Sequence, residues 1–190
     1  MREIVLSEKE IAGVCSRLGK EVSNDLRNEE KIPLFVGVMK GAMPFFHEFI
    51  KNIDIPIFTD YIQISSYSGT ETTGQIKLLK DLMFDTKGRT IVVVEDIIDS
   101  GYSMHYLIEH LKKEYQPKDI KVVVMFDKIN ARKIDVPIHY VGKVLEENKF
   151  IVGFGLDYEE LFRNTPYVYV AKPSDIADWN DILHSDRNKK

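Results

Sequence analysis

The sequence lacks the features that would place the chain in an oxidising compartment or in a membrane. Its one cysteine, Cys15, rules out an internal disulfide and fits a reducing compartment. No apolar run reaches the roughly 20 residues that a membrane-spanning helix needs. The charged start, Met1-Arg2-Glu3, does not resemble a signal peptide. We therefore expect a cytoplasmic protein without a membrane segment.

Positive charge is also scarce in this sequence. Lys and Arg number 26 against 30 Asp and Glu, which gives the 190 residues a net charge of −4. This balance argues against nucleic acid as a partner, so an anionic ligand must be held by local donors or by a bound metal ion. The five histidines show no spacing typical of metal ligands, and we expect no zinc site. The length predicts one domain.

What the sequence does contain, near its middle, is a strand followed by a short polar loop and a helix. Four β-branched residues, Ile91–Val94, predict a strand buried on both faces, and two acids, Glu95 and Asp96, follow it. Helical spacing of apolar residues begins at Met104. The polar loop before that helix is Asp99-Ser100-Gly101-Tyr102-Ser103.

The start of this predicted helix is a natural seat for a phosphate. Its free backbone N–H groups and the positive end of the helix dipole attract an anion. Gly101 allows close approach, and the hydroxyls of Ser100 and Ser103 add donors. Glu95 and Asp96 would repel a bare phosphate. A ribose 5-phosphate removes this conflict, because carboxylates accept hydrogen bonds from ribose hydroxyls or hold Mg²⁺.

The remaining pattern predicts an α/β fold with a parallel central sheet flanked by helices. Strands at Leu34–Val38, Ile57–Ile64 and Ile120–Phe126, the first and last of them buried, alternate with helical patterns, the first of which opens with a capping box at Ser7. After Ala131 the pattern breaks into short strand candidates separated by proline and glycine. We therefore expect a core over about 7–130, a small irregular hood from 1–6 and about 131–172, and a C-terminal tail over 173–190.

Four loops follow the expected strands, where a parallel sheet binds its ligands. They are Met39–Gly41, Ser65–Gly74, Glu95–Ser103 and Asp127–Lys128. The second is the most polar and turn-rich stretch of the chain, and we expect it to be a long mobile loop.

The segment from Glu95 to Ser103 resembles the phosphoribosyl pyrophosphate (PRPP) signature of the type I phosphoribosyltransferases. Within that family, six motifs between Ile4 and Val170 resemble, in order and spacing, the hypoxanthine-guanine phosphoribosyltransferases. The motifs are Met39-Lys40-Gly41, Ser66-Tyr67, Glu95 to Gly101, Asp127-Lys128, Phe150 to Gly153, and Leu156-Asp157-Tyr158 with Phe162-Arg163.

The resemblance implies that PRPP and a purine base, hypoxanthine or guanine, react to give IMP or GMP and pyrophosphate, with Mg²⁺ as the cofactor. It implies that Asp99 is the general base for the proton on the purine's imidazole ring. Glu95 and Asp96 match acids that engage the ribose hydroxyls directly or through Mg²⁺. Asp157 matches a ligand of a second Mg²⁺ near the base.

The resemblance also implies contacts to the pyrophosphate and to PRPP. Lys40 and Arg163 match the family's pyrophosphate contacts, Gly41 belongs to the same motif as Lys40, and the peptide bond before Lys40 can be cis in the family. Ser66 and Tyr67 match a loop that closes over PRPP and excludes water.

Recognition of the base is implied for three residues of the hood and sheet. Phe150 matches the ring that stacks on the purine, Ile151 supplies the neighbouring backbone, and Lys128 matches the donor to the 6-oxo group. Tyr102 departs from the family, which often has a basic or amide residue there. We expect the backbone of that loop to carry the phosphate site.

Two other interpretations stay open on the sequence. One is a phosphoribosyltransferase for xanthine or a pyrimidine. The other is a PRPP-sensing regulator on the same fold that binds RNA or DNA. The net charge and the absence of an N-terminal helix-turn-helix pattern disfavour the regulator. We also expect a homo-oligomer, either a dimer or a tetramer.

Overall fold

The computed structural model of the chain describes residues 2–66 and 76–187. Its strands are β1 (Glu3–Leu6), β2 (Leu34–Met39), β3 (Phe58–Ser66), β4 (Ile76–Lys80), β5 (Thr90–Ile98), β6 (Asp119–Asp127), β7 (Tyr140–Val144), β8 (Ile151–Val152) and β9 (Val168–Val170). The helices are α1 (Glu8–Leu26), α2 (Met43–Ile50), α3 (Tyr102–Tyr115) and α4 (Pro173–Arg187), and Ile129–Ala131 form a short 3₁₀ helix. Within these ranges no helix combines the length and apolar character needed to cross a bilayer.

The main sheet has six strands in the order β4-β3-β2-β5-β6-β7. All neighbouring pairs run parallel except β3 and β4, which are antiparallel. The predicted α/β fold with a parallel central sheet flanked by helices is confirmed. Because consecutive parallel strands end at the same edge, β2, β3, β5 and β6 present their following loops together.

Alternating side chains of β5 bury both faces of this sheet. Val92 and Val94 belong to a core with α1 and α2, whereas Ile91 and Val93 belong to a second core with α3. This two-residue period explains why a continuous apolar run forms a central strand. The predicted capping box starts α1: the Ser7 hydroxyl accepts from the backbone N–H of Glu10, and the Glu10 carboxylate accepts from that of Ser7.

A second, smaller sheet joins the two ends of the chain. It has three antiparallel strands in the order β1-β9-β8. Helix α4 packs on this sheet's side of the molecule through Trp179, which is 6% exposed and contacts the rings of Tyr158 and Phe162. The loop between β8 and β9 is therefore held between the small sheet and α4.

Strand β7 shows where sequence periodicity misleads. It falls inside the segment expected to form the hood, yet it pairs in parallel with β6 as the edge of the main sheet. The chain crosses from β6 to β7 through the 3₁₀ helix and an irregular segment. Without an α-helix between the strands, the sequence carries no βαβ pattern to reveal the pairing.

Trp179 should be the main anchor of α4. We expect Trp179→Ala to lower the free energy of unfolding of α4 by roughly 3–5 kcal/mol, because a buried aromatic side chain is lost. Ile182→Ala on the same helix, where the side chain is 55% exposed, should change it by less than about 0.5 kcal/mol. Hydrogen exchange of the α4 amides measures both values. Equal effects of the two substitutions would contradict the anchoring role.

Candidate active site

The carboxyl ends of β2, β3 and β5 open onto a cleft of about 960 Å³. Its opposite wall comes from the loop between β8 and β9. Eight of the residues predicted for a site line this cleft: Lys40, Gly41, Glu95, Asp96, Ser103, Phe150, Asp157 and Arg163. Residues more than 100 positions apart in the sequence therefore meet in one place.

A smaller cavity of about 110 Å³ adjoins the cleft at the start of α3. Asp99, Ser100 and Gly101 line it, and Glu95 and Ser103 line both cavities. The loop predicted to seat a phosphate is thus continuous with the large cleft. The backbone N–H groups at the first turn of α3 supply the donors that a phosphate needs there.

Gly101 gives this loop its shape. Its φ of 89° lies in the left-handed region, where side chains other than glycine are strained. A Cβ at this position would also collide with the carbonyl oxygen of Ile134. From the same segment, the backbone N–H groups of Lys133 and Ile134 donate to the Ser100 carbonyl at 3.0 and 3.1 Å. These two hydrogen bonds therefore hold the backbone of the phosphate loop at Ser100 in place.

Two adjacent carboxylates form the floor of the cleft. Burial raises the pKa of Glu95 well above its usual range, and the charge of Asp96 raises it further. Burial also raises the pKa of Asp96, against the opposing charge of Arg163. Burial thus disfavours the ionised form of these two acids, and a cation or a hydroxyl donor that enters the cleft would stabilise that form.

Close backbone packing brings the cleft walls together at Gly41. A Cβ on Gly41 would collide with the carboxylate of Asp96, and one on Gly155 would collide with the carbonyl oxygen of Gly41. Gly155 also has a φ of 97°. The Met39–Lys40 peptide bond is cis, as the family resemblance implied.

Arg163 is held by three contacts in the far wall. Its Nη2 lies 2.9 Å from Asp157 Oδ1, its Nη1 donates to the Gly155 carbonyl at 2.7 Å, and its Nε lies 3.3 Å from Glu160 Oε2. The same Glu160 oxygen lies 3.1 Å from Lys40 Nζ across the cleft. Hydrogen bonds from Lys40 and then Arg163 hold the pKa of Glu160 below its usual value.

Lys128 and Asp99 form a pair at the side of the phosphate loop. Lys128 is only 7% exposed, and its Nζ lies 3.5 Å from Asp99 Oδ2 and 3.5 Å from Asn148 Oδ1. The Asp99 side chain is more than half exposed. A buried ammonium with two oxygen partners has a fixed direction, and it lies beside a carboxylate that can still reach a ligand.

Arg132 links this pair to the body of the sheet. Its guanidinium pairs with the Asp127 carboxylate, and its Nε donates to the backbone carbonyl of Asp99 at 3.2 Å. The side chains of Arg132 and Asp127 are 15% and 12% exposed. The ion pair therefore fixes the backbone that carries Asp99.

Comparison with known proteins decides the family. The sequence model of the phosphoribosyl transferase domain matches residues 1–159. The chain belongs to the phosphoribosyltransferase family. A hypoxanthine-guanine phosphoribosyltransferase of Bacillus subtilis is 40% identical over 175 residues, covering 92% of this chain and 95% of the relative. The resemblance to hypoxanthine-guanine phosphoribosyltransferases is thus confirmed.

Other relatives are longer than this chain. The bifunctional protein TilS/HprT of Listeria monocytogenes is 39% identical over 174 residues, which cover 91% of this chain but 26% of that protein. The chain therefore spans about a quarter of the length of these bifunctional relatives.

Solved structures of phosphoribosyltransferases share the fold. A hypoxanthine phosphoribosyltransferase of Staphylococcus aureus superposes with a TM-score of 0.84 at 36% identity, covering 90% of this chain and 92% of the other. A hypoxanthine phosphoribosyl transferase of Trypanosoma cruzi gives a TM-score of 0.86 at 26% identity, covering 94% and 95%. The fold is therefore that of the type I phosphoribosyltransferases.

Five predicted site residues are not among the described lining of either cavity, and Lys128, which pairs with Asp99, is one of them. Ile151 is 5% exposed, its side chain packs in the core, and it lines a separate cavity with Val5 and Val170. Tyr102 is half-exposed on the first turn of α3 and does not line either of the two described cavities. Ser66 ends β3, where its backbone pairs with Ile76. Tyr67 lies outside the described residues.

The sequence did not point to four charged residues of the cleft region. Glu159, Glu160 and Arg187 line the cleft, and Arg132 braces the phosphate loop. Glu160 stands in a polar run that is typical of a solvated surface, and Arg187 stands in a tail with a weak apolar pattern. Only the three-dimensional contacts give these side chains a role.

Breaking the Arg132 pair should destabilise the fold. Arg132→Met leaves the buried carboxylate of Asp127 without its partner, so we expect a loss of about 3 kcal/mol in the free energy of unfolding. The double variant Asp127→Asn with Arg132→Met should recover much of that loss, because no charge is left unpaired. Urea denaturation followed by circular dichroism measures both. A single variant within about 0.5 kcal/mol of the parent would contradict the bracing role.

Proposed function

We propose that this protein transfers the 5-phosphoribosyl group of PRPP to a ring nitrogen of hypoxanthine or guanine. The products are IMP or GMP and pyrophosphate, and the reaction belongs to purine salvage in the cytoplasm. The observation that carries the proposal is the pairing of Lys128 with Asp99, with Nζ and Oδ2 3.5 Å apart at the edge of the phosphate loop. The relatives named as hypoxanthine-guanine phosphoribosyltransferases support it.

The Lys128 ammonium beside the Asp99 carboxylate places a donor next to an acceptor, and this pair matches one edge of a 6-oxopurine. The 6-oxo group and N7 are neighbouring atoms on that edge, close enough for one bidentate group to span. The Lys128 ammonium donates to the 6-oxo oxygen, and Asp99 takes the proton from the imidazole ring. Phe150, which is 44% exposed and lines the cleft, offers its face to the base. The backbone at Ile151 lies beside it.

PRPP binds along the rest of the cleft. The loop of Ser100, Gly101 and Ser103 receives the 5-phosphate, with Tyr102 contributing its backbone. Lys40 and Arg163 bind the pyrophosphate, where negative charge grows as the sugar–oxygen bond breaks. The loop with Ser66 and Tyr67 closes over PRPP and excludes water, which would otherwise compete as the nucleophile.

The carboxylates of the cleft fit Mg²⁺. Glu95, Asp96 and Asp157 line one cavity and carry only oxygen donors, which hard divalent cations prefer. Within the described residues no three His, Cys, Asp or Glu side chains could hold a metal ion by themselves. The carboxylates would therefore share the ion with oxygens of PRPP. Mg²⁺ held by these residues would neutralise charge on the pyrophosphate and so make it a better leaving group.

Two expectations about assembly and organisation remain predictions. The hood over 1–6 and about 131–172 covers the base, apart from β7, which completes the main sheet. The chain forms a homo-oligomer, a dimer or a tetramer.

A steady-state assay with Mg-PRPP and five bases tests the proposed function. Hypoxanthine and guanine should be turned over, and adenine and uracil should be poor substrates; xanthine, which also carries a 6-oxo group, is the fifth base. The same assay in excess EDTA should show no turnover, since no divalent cation then balances the negative charge of PRPP beside the acids of the cleft. Preference for xanthine or uracil, or full activity in EDTA, would overturn the proposal as stated.

The choice of base should depend on Lys128. Adenine brings an amino group to the position of the 6-oxo group and sets donor against donor, which costs up to about 10⁴–10⁵ in selectivity. We expect Lys128→Ala mainly to raise the Michaelis constant for hypoxanthine and guanine. Lys113→Ala, which removes the same charge from a side chain that is 83% exposed on α3, is the matched control. Efficient use of adenine by the unmodified protein would contradict the role of Lys128.

Proton removal should depend on Asp99. Asp99→Asn keeps the shape of the side chain and removes the base, so turnover should fall by roughly 10²–10⁴-fold with little change in PRPP affinity. Single-turnover kinetics measures the step. The exposed Asp135→Asn variant controls for the loss of a charge. A loss below about threefold in Asp99→Asn would assign the proton to another group.

A further inference from the structure

Glu160 occupies the space between the two cations that the proposed function assigns to pyrophosphate. One of its oxygens, Oε2, lies 3.1 Å from Lys40 Nζ and 3.3 Å from Arg163 Nε. Lys40 follows β2 and Arg163 lies in the loop before β9, so the contact joins opposite walls of the cleft. An anionic oxygen thus already stands where these cations would meet a phosphate oxygen.

All three nitrogens of the Arg163 guanidinium are engaged within the protein. Asp157, the Gly155 carbonyl and Glu160 each take one. A pyrophosphate that binds this guanidinium must replace at least one of these contacts. Asp157 is 27% exposed and the Gly155 contact is to backbone, whereas the Glu160 side chain is 61% exposed. Glu160 is therefore the partner that can swing into solvent.

The exchange leaves the rest of the wall in place. The backbone N–H of Glu160 donates to Asp157 Oδ2 at 2.8 Å, independently of the Glu160 side chain. Release of the Glu160 carboxylate therefore frees Lys40 and one edge of Arg163 without unfolding the loop. When the ligand leaves, the same carboxylate can return.

We infer that the Glu160 carboxylate is an internal substitute for the pyrophosphate. It orders Lys40 and Arg163 when the cleft is empty, and it competes with the pyrophosphate for these two cations. This inference rests on the proposed function and adds an affinity-determining residue to it. Its consequence is weaker binding, and hence faster release, of pyrophosphate than two free cations would give.

The chain contains a matched control one residue away. Glu159 also lines the cleft, but its carboxylate pairs with Arg187 at 3.7 Å and contacts neither Lys40 nor Arg163 among the described contacts. Glu159→Gln and Glu160→Gln remove the same formal charge from the same cleft. The difference in pyrophosphate affinity between the two variants measures direct competition by Glu160. The general effect of removing a negative charge from the cleft is the same in both.

Titration calorimetry of inorganic pyrophosphate in excess Mg²⁺ tests the inference. We expect Glu160→Gln to tighten binding about three- to tenfold, because two exposed ion pairs no longer compete. Glu159→Gln should tighten it less than twofold. Glu160→Ala should behave like Glu160→Gln, since both remove the competing carboxylate.

Two results would overturn the inference. Equal tightening in Glu159→Gln and Glu160→Gln would leave only the general charge effect. Weaker binding in Glu160→Gln would mean that the carboxylate positions the cations for the ligand. Both results come from binding measurements and do not depend on turnover. The steady-state assay with five bases tests the proposed function separately, so a failure of the inference can be told apart from a failure of the proposed function.

Discussion

The close approach of three backbone segments at Gly41 is the constraint on which the site depends. The turn after β2 lies against the carboxylate of Asp96 on one side and against Gly155 on the other, with no room for a Cβ at either glycine. This contact sets the distance between the end of the sheet and the loop that carries Asp157 and Arg163. Larger side chains would push apart the walls that share the cleft.

Electrostatics then determines what the cleft can bind. Among the described lining residues, the acids are Glu95, Asp96, Asp157, Glu159 and Glu160, and the bases are Lys40, Arg163 and Arg187. The acids of the floor carry raised pKa values and the cations of the walls are paired within the protein. Such a site favours a ligand that brings its own cation and exchanges one anion for another.

The parts of the fold that could be predicted are those whose chemistry is local. Ile91–Val94 form a doubly buried strand because every residue is apolar, and the loop at Gly101 follows because only glycine fits its backbone. The strand β7 could not be predicted, since it pairs with β6 without an intervening α-helix. Glu160 and Arg132 could not either, because each acts through a partner from another strand or loop.

Helix α4 supports the far wall of the cleft. Trp179 packs on Tyr158 and Phe162, which flank the acids and Arg163 of the far wall. Heat that detaches α4 would loosen that wall while the six-stranded sheet stays folded. Loss of the cleft's geometry would then precede global melting, and the lifetime of an intact cleft would be governed by the docking of α4.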